Sequence, residues 1–88
     1  MDNILFMRID KFLNAVNITK RRAIAEDMLK EKVVFINDIA VKKAKDVKVG
    51  DIIKIQYLEY AHRFEVLEIP TTKSTPKSKQ DQYIKKLE

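Results

Sequence analysis

The hydrophobic period of this chain changes once, at Val33, and that change limits what it can fold into. Upstream, Ile9, Phe12, Leu13 and Val16 recur at i, i+3, i+4 and i+7, the spacing of one apolar helix face over residues 8–16. Asn17-Ile18 interrupts the pattern. A second helical stretch then runs from Thr19 to Lys30 or Glu31, with Ala25, Met28 and Leu29 as its buried stripe and Ile24 beside them. Downstream, Val33 to Ile36 is β-branched and aromatic, Asn37-Asp38 signals a turn, and Ile39-Ala40-Val41 returns. Val47-Lys48-Val49 leads into Gly50-Asp51, which holds the chain's single glycine, and Ile52 to Tyr57 reads as a strand. After a turn at Leu58-Glu59, Tyr60 to Ile69 alternates, with Tyr60, His62, Phe64 and Val66 on one face. Helices followed by strands give an α+β domain, a helical corner packed on one face of an antiparallel sheet of about four strands.

Pro70 closes that pattern, so residues 1–69 are expected to form the domain. Residues 70–88 then read as a mobile basic linker of Pro, Ser, Thr and Lys with a short helix-prone end, Gln82 to Leu87. The chain of 88 residues has 18 Lys and Arg against 13 Asp and Glu, a net charge of +5, a balance typical of nucleic-acid and anionic-surface binders. Without cysteine it has neither a disulfide framework nor a thiolate zinc site. The leader Met1 to Met7 has no basic region ahead of a long apolar run, and no stretch is long and apolar enough for a membrane span. A cytoplasmic location with no membrane partner is expected.

The cations are not scattered evenly. Thr19-Lys20-Arg21-Arg22 reads as an N-cap and first helical turn loaded with positive charge. The unpaired N–H groups of a helix start already carry partial positive charge, so cations there are unfavourable unless an anion answers them. Amides, a hydroxyl and cations converging on one point suit phosphate. Arg8 and Lys11 lie one turn apart on the preceding helix and could face the same way, with Asp10 placed to steady Arg8. A second basic set, Lys42, Lys43, Lys45 and Lys48, follows the hairpin, and the tail adds Lys73, Lys77, Lys79, Lys85 and Lys86. Two basic sets flanking one helix start could track a folded phosphate backbone.

Catalysis has little to build on. His62 is the only histidine, with no cysteine or second histidine beside it for a metal, and it reads as a structural or surface residue. The carboxylates are interleaved with lysines as charge balance, not paired as acid and base, and no glycine-rich phosphate loop exists. No enzyme activity and no cofactor are expected. Tyr57 and Tyr60 could stack on bases, although strand aromatics more often pack within a sheet. Two other binding classes remain: an adaptor for an acidic protein partner, and a helix-turn-helix DNA binder. The second is disfavoured because the cations mark a helix start, not a base-reading helix face.

In order along the chain, Met7-Arg8-Ile9-Asp10-Lys11-Phe12-Leu13, Thr19-Lys20-Arg21-Arg22-Ala23, Val34-Phe35-Ile36-Asn37 and Val47-Lys48-Val49-Gly50-Asp51 together resemble the S-four type RNA-binding domain, over roughly residues 7–57. The resemblance implies a helical corner on a small antiparallel sheet, with the two-helix face and adjoining hairpin binding structured RNA. A copy of the domain that fills nearly the whole chain is similar to the RqcP group, relatives of heat-shock protein fifteen. That likeness implies binding to stalled large ribosomal subunits through large-subunit rRNA and peptidyl-tRNA, which such proteins hold in the P site while an RqcH-type factor adds C-terminal alanine tails. A broader alternative is a general rRNA-binding or ribosome-assembly protein. The expected RNA-binding residues are Arg8, Lys11, Thr19, Lys20, Arg21, Arg22, Lys42, Lys43 and Lys45, and the chain is expected to be a monomer off the ribosome. Three positions depart from the family pattern: Lys32 stands where a glycine commonly ends the second helix, Asp38 replaces the glycine of an Asn-Gly turn, and an arginine frequent just before the second helix is replaced around Asn17, which removes one possible RNA contact.

Overall fold

A computed structural model describes residues 6–87; the leader Met1 to Leu5 and the terminal Glu88 lie outside the described residues. Strand β1 (Phe6–Arg8) runs straight into helix α1 (Ile9–Ala15), and a tight corner leads to α2 (Arg22–Lys30). There follow β2 (Val34–Ile36), β3 (Ile39–Ala40), β4 (Asp46–Lys48), β5 (Ile52–Gln56) and β6 (Ala61–Val66). A 3-10 turn (Lys77–Lys79), the short helix α3 (Gln80–Tyr83) and β7 (Ile84–Leu87) complete the described chain. The main sheet has five antiparallel strands in the order β3-β2-β5-β6-β7, and β1 pairs with β4 as a separate two-stranded ribbon.

One core joins the two halves of the sequence. Ile9, Phe12, Leu13 and Val16 of the first helical segment, with Ala25 and Leu29 of α2, pack against Val34, Ile36, Ile53, Ile55 and Val66 from the sheet. Strand alternation makes this possible, because cross-strand partners such as Ile36 and Ile53, or Val34 and Ile55, share a face. The opposite face carries no helix of the core. Between β2 and β3, Asn37 (φ 52°) and Asp38 (φ 70°) are both left-handed, the signature of a type I′ hairpin. Asp38 accepts that geometry without glycine, and Asn37 is held by its Oδ1 accepting the Ile52 amide at 3.0 Å. Gly50 takes φ 94° at the turn into β5, where a side chain would have space but not the backbone angle.

Both core helices end in the same way. The Ile18 amide donates to the Leu13 carbonyl (2.9 Å) and the Asn17 amide to that of Asn14 (3.1 Å), with Asn17 left-handed at φ 67°. At the end of α2 the Val33 amide reaches the Met28 carbonyl (3.2 Å) and the Lys32 amide that of Leu29 (3.1 Å), with Lys32 at φ 63°. Lys32 therefore occupies the position where glycine would be least strained, as its place in the family pattern implied.

Three expectations need correction. Thr19 is not the N-cap of α2: that residue is Arg21, and the buried Thr19 instead donates its hydroxyl to the Arg21 carbonyl at 3.2 Å. The helix begins at Arg22, so Lys20 and Arg21 precede it and do not occupy its first turn. Next, the residues after Pro70 are not a detached linker. Thr75 is buried and donates both its amide (3.0 Å) and its hydroxyl (2.8 Å) to the Ala15 carbonyl. The Gln80 side chain donates to the Val16 carbonyl (2.9 Å), and the Asn17 side chain donates to the Thr75 carbonyl (2.8 Å). This strap satisfies the end of α1, whose last carbonyls have no partner within the helix. Finally, residues 84–87 are not helical; they form β7 on the edge of the sheet, where Ile84 is buried opposite Val66.

Candidate nucleic-acid interface

The arginine corner is built on one carboxylate. Asp10 sits in the first turn of α1 with no solvent exposure. Its Oδ1 accepts from Arg8 Nε (3.1 Å) and from the Lys11 amide (2.9 Å). Its Oδ2 accepts from Arg8 Nη2 (2.7 Å) and from Arg22 Nη2 (3.2 Å). A fork of this kind fixes a guanidinium plane as well as its position. Arg22 is further tied to Glu26 one turn on, at 3.5 Å. Burial alone would push the Asp10 carboxyl up, but the hydrogen bonds and charges of Arg8 and Arg22 outweigh it and hold the group below the usual carboxylate range. The hydrogen bond that Arg8 donates to Asp10, then the charge of that carboxylate, raises the Arg8 guanidinium in turn.

Local sequence explains the arrangement. Arg8 ends β1 in an extended conformation and Asp10 stands two residues on, so the carboxylate meets the guanidinium across the strand-to-helix junction. The Ile9 amide donates to the Lys45 carbonyl at 2.7 Å and pins that junction to the loop before β4. The left-handed Asn17 turns the chain back, which brings Arg22 of α2 beside α1. Each arginine side chain nevertheless remains about half open, with exposures of 40% for Arg8 and 48% for Arg22. The groove in front of them has a volume of about 760 Å³; Lys11, Asn14, Lys73 and Thr72 line it alongside the two arginines, with Phe6, Met7 and Pro70 as its apolar wall. Two half-open guanidinium groups with spare donors, beside the exposed Lys11 and Lys73, suit a phosphate, and Asp46 is the one carboxylate on the lining.

The expected binding residues do not all meet there. Arg8, Lys11 and Arg22 share the groove. Thr19 is buried beneath the corner, and Lys20 and Arg21 are exposed on the turn outside it. Lys42 and Lys43 line a second groove of about 690 Å³ with Lys30 and Lys32, at the far end of α2. Lys45 is exposed beside the junction and lines neither groove. Two contributors are more important in the structure than the sequence suggests. Asp10 reads as a helper to Arg8 but is the shared anchor of both helices. Lys73 reads as tail but forms part of the wall, a placement that only the strap explains. Tyr57 and Tyr60 stack on each other (4.8 Å between centroids, 24° between planes), and His62 meets both edge-on, at 5.3 and 5.1 Å. Burial, then the neighbouring Tyr60, pushes the Tyr57 phenol up. Among the described residues, no cluster of His, Cys, Asp and Glu could hold a metal, and no helix is long and apolar enough to cross a membrane.

Residues 7–53, from the end of β1 through the helical corner to the start of β5, match the S4 domain, and the chain belongs to the S4 domain family. Within that family it is 42% identical over 78 residues (89% of this chain, 93% of the relative) to the RQC P-site tRNA stabilizing factor of Helicobacter pylori strain J99. It is 32% identical over 66 residues (75% and 77%) to the Bacillus subtilis protein of the same name. The solution structure of a protein described as hypothetical superposes with a TM-score of 0.81 at 39% identity, covering 93% of this chain and 98% of the other. The fold is also that of Vibrio cholerae heat shock protein 15, with a TM-score of 0.82 at 22% identity over 93% and 82% of the two chains.

Proposed function

We propose that this chain is a ribosome-associated quality control factor that binds the large subunit and steadies peptidyl-tRNA in the P site, while a tailing factor of the RqcH type extends the stalled chain. The observation that carries this reading is the Arg8–Asp10–Arg22 cluster, in which two half-open guanidinium groups, one from the end of β1 and one from the start of α2, are held by one buried carboxylate. A rigid pair of this kind matches adjacent phosphates of folded RNA, and holding the side chains in advance lowers the entropic cost of capture. The family membership and the name carried by the relatives support the same reading. Arg8, Lys11, Arg22 and Lys73 act at the groove; Lys20, Arg21, Lys42, Lys43 and Lys45 add longer-range attraction.

The test is co-sedimentation with large subunits carrying peptidyl-tRNA. Replacing either arginine also disturbs the buried carboxylate, so Lys11→Ala with Lys73→Ala is the cleaner variant, since neither lysine takes part in an ion pair among the described residues. Its melting temperature is expected to stay within about a degree of the parent's, as is usual for surface changes. Its binding is expected to weaken, with the log–log salt slope shallower by about 0.7–0.9 for each phosphate that the variant no longer neutralises. Arg8→Lys, which keeps the charge but not the fork, is expected to weaken binding as well. Unchanged co-sedimentation of both variants at moderate salt would remove the groove from the account.

A further inference from the structure

The core helices cover one face of the sheet, and the other face has its own charge pattern. Lys54 on the central strand β5 and Arg63 on its neighbour β6 are directly opposed. Like charges in register across an antiparallel pair repel each other, so such a pair is a cost to the fold. No ion pair among the described residues relieves it. The row continues in register to Phe35 on one side and Leu87 on the other, and the Lys54 ammonium rests 4.6 Å from the centre of the Phe35 ring. One row along, Lys85 opposes Glu65, the single carboxylate in these two rows. The surface thus carries a half-buried aromatic ring on β2, with Lys54 over it and Arg63 and Lys85 following on the strands beyond.

We infer that this outer face, led by Phe35, Lys54 and Arg63, is a second binding surface, for unpaired nucleotides of RNA, independent of the arginine groove. Charge complementarity selects the occupant. A base stacks on Phe35 as the Lys54 ammonium swings from the ring to the adjoining phosphate, and Arg63 takes the next phosphate along the strand. The phosphates also remove the repulsion between Lys54 and Arg63, so the cost carried by the free protein is recovered on binding. The inference rests on the reading of the chain as an RNA binder, and it adds that the domain holds RNA on two opposite faces.

The experiment compares three probes, a blunt RNA stem-loop closed by a tightly structured tetraloop with no free bases, the same stem-loop with a single-stranded extension, and a short oligouridine, against the parent and the Lys54→Gln, Arg63→Gln double variant. The parent is expected to bind the extended stem-loop more tightly than the blunt one. The double variant is expected to lose that gain while binding the blunt stem-loop as before, with a salt slope on the extended probe shallower by about 1.4, or about 0.7 for each single-strand phosphate released. Its melting temperature should hold or rise, because a repulsive pair has gone; a merely structural role would lower it. The charge-keeping Lys54→Arg, Arg63→Lys variant should retain the gain. An extension that adds nothing to parent binding, or a gain that survives in the glutamine variant, overturns the proposal, and an acidic protein partner would show the first of these outcomes. If the blunt stem-loop fails to bind while oligouridine binds through Lys54 and Arg63, the groove reading falls and the sheet reading stands; if neither binds, both fall.

Discussion

Asp10 is a buried carboxylate whose oxygens both accept two hydrogen bonds, from Arg8, Arg22 and the Lys11 amide. An anion can be kept out of water only if such partners replace its hydration. Because its folded pKa lies below the ordinary value, the group adds stability that is fully present above the ordinary carboxyl range and is lost as pH falls through the lower folded value. Asp10→Asn is therefore expected to lose about 1–3 kcal/mol at neutral pH. The gap between parent and variant should then narrow below about pH 4, where the unfolded carboxyl begins to take up its proton. Urea unfolding across a pH series measures this, and a gap that does not move with pH would show that Asp10 acts through shape and not charge. RNA binding by the same variant should fall as well, since Arg8 and Arg22 lose their common anchor.

At the scale of elements, the strap after Pro70 does for α1 what a local cap cannot. Thr75→Val keeps the shape and the backbone donor but removes the hydroxyl bond to Ala15, and is expected to cost about 0.5–1.5 kcal/mol. Hydrogen exchange should then quicken at the end of α1, and equal protection there in parent and variant would contradict the capping role. The helix faces and central strands are legible in the sequence because each depends on a short period, as with Ile9, Phe12, Leu13 and Val16 or with Ile53 and Ile55. What is not legible depends on distant partners. Thr75 lies in a polar run, and nothing nearby signals that it will meet Ala15. Ile84 to Leu87 is too short to show a period and becomes a strand only because β6 offers an edge. Thr19 misleads for a different reason: the capping rule is local, but the Thr19 hydroxyl is turned to the Arg21 carbonyl at 3.2 Å, and α2 starts after Arg21, two residues on. In the candidate site, Arg8, Lys11 and Arg22 are readable from the pattern of cations, while Lys73 depends on the fold of the tail.

For the molecule as a whole, the cations behind the net charge of +5 include three groupings: the arginine groove, the groove at the far end of α2, where Glu26 and Asp27 stand among the lysines, and the outer sheet. If Lys42 and Lys43 each meet a phosphate, replacing both with alanine should flatten the salt dependence of ribosome binding by about 1.4–1.8 without altering thermal stability. An unchanged slope would leave those lysines as solubilising charge. The strap also has a kinetic consequence. The Thr75 and Gln80 hydrogen bonds join positions separated by 60 and 64 residues, so closing them costs more chain entropy than the hairpins do and is expected to come late in folding. A nascent chain halted before Thr75 has the arginines but neither the finished end of α1 nor the final position of Lys73. Truncated copies of this factor would emerge with an unassembled grip, unable to compete with intact ones for the RNA.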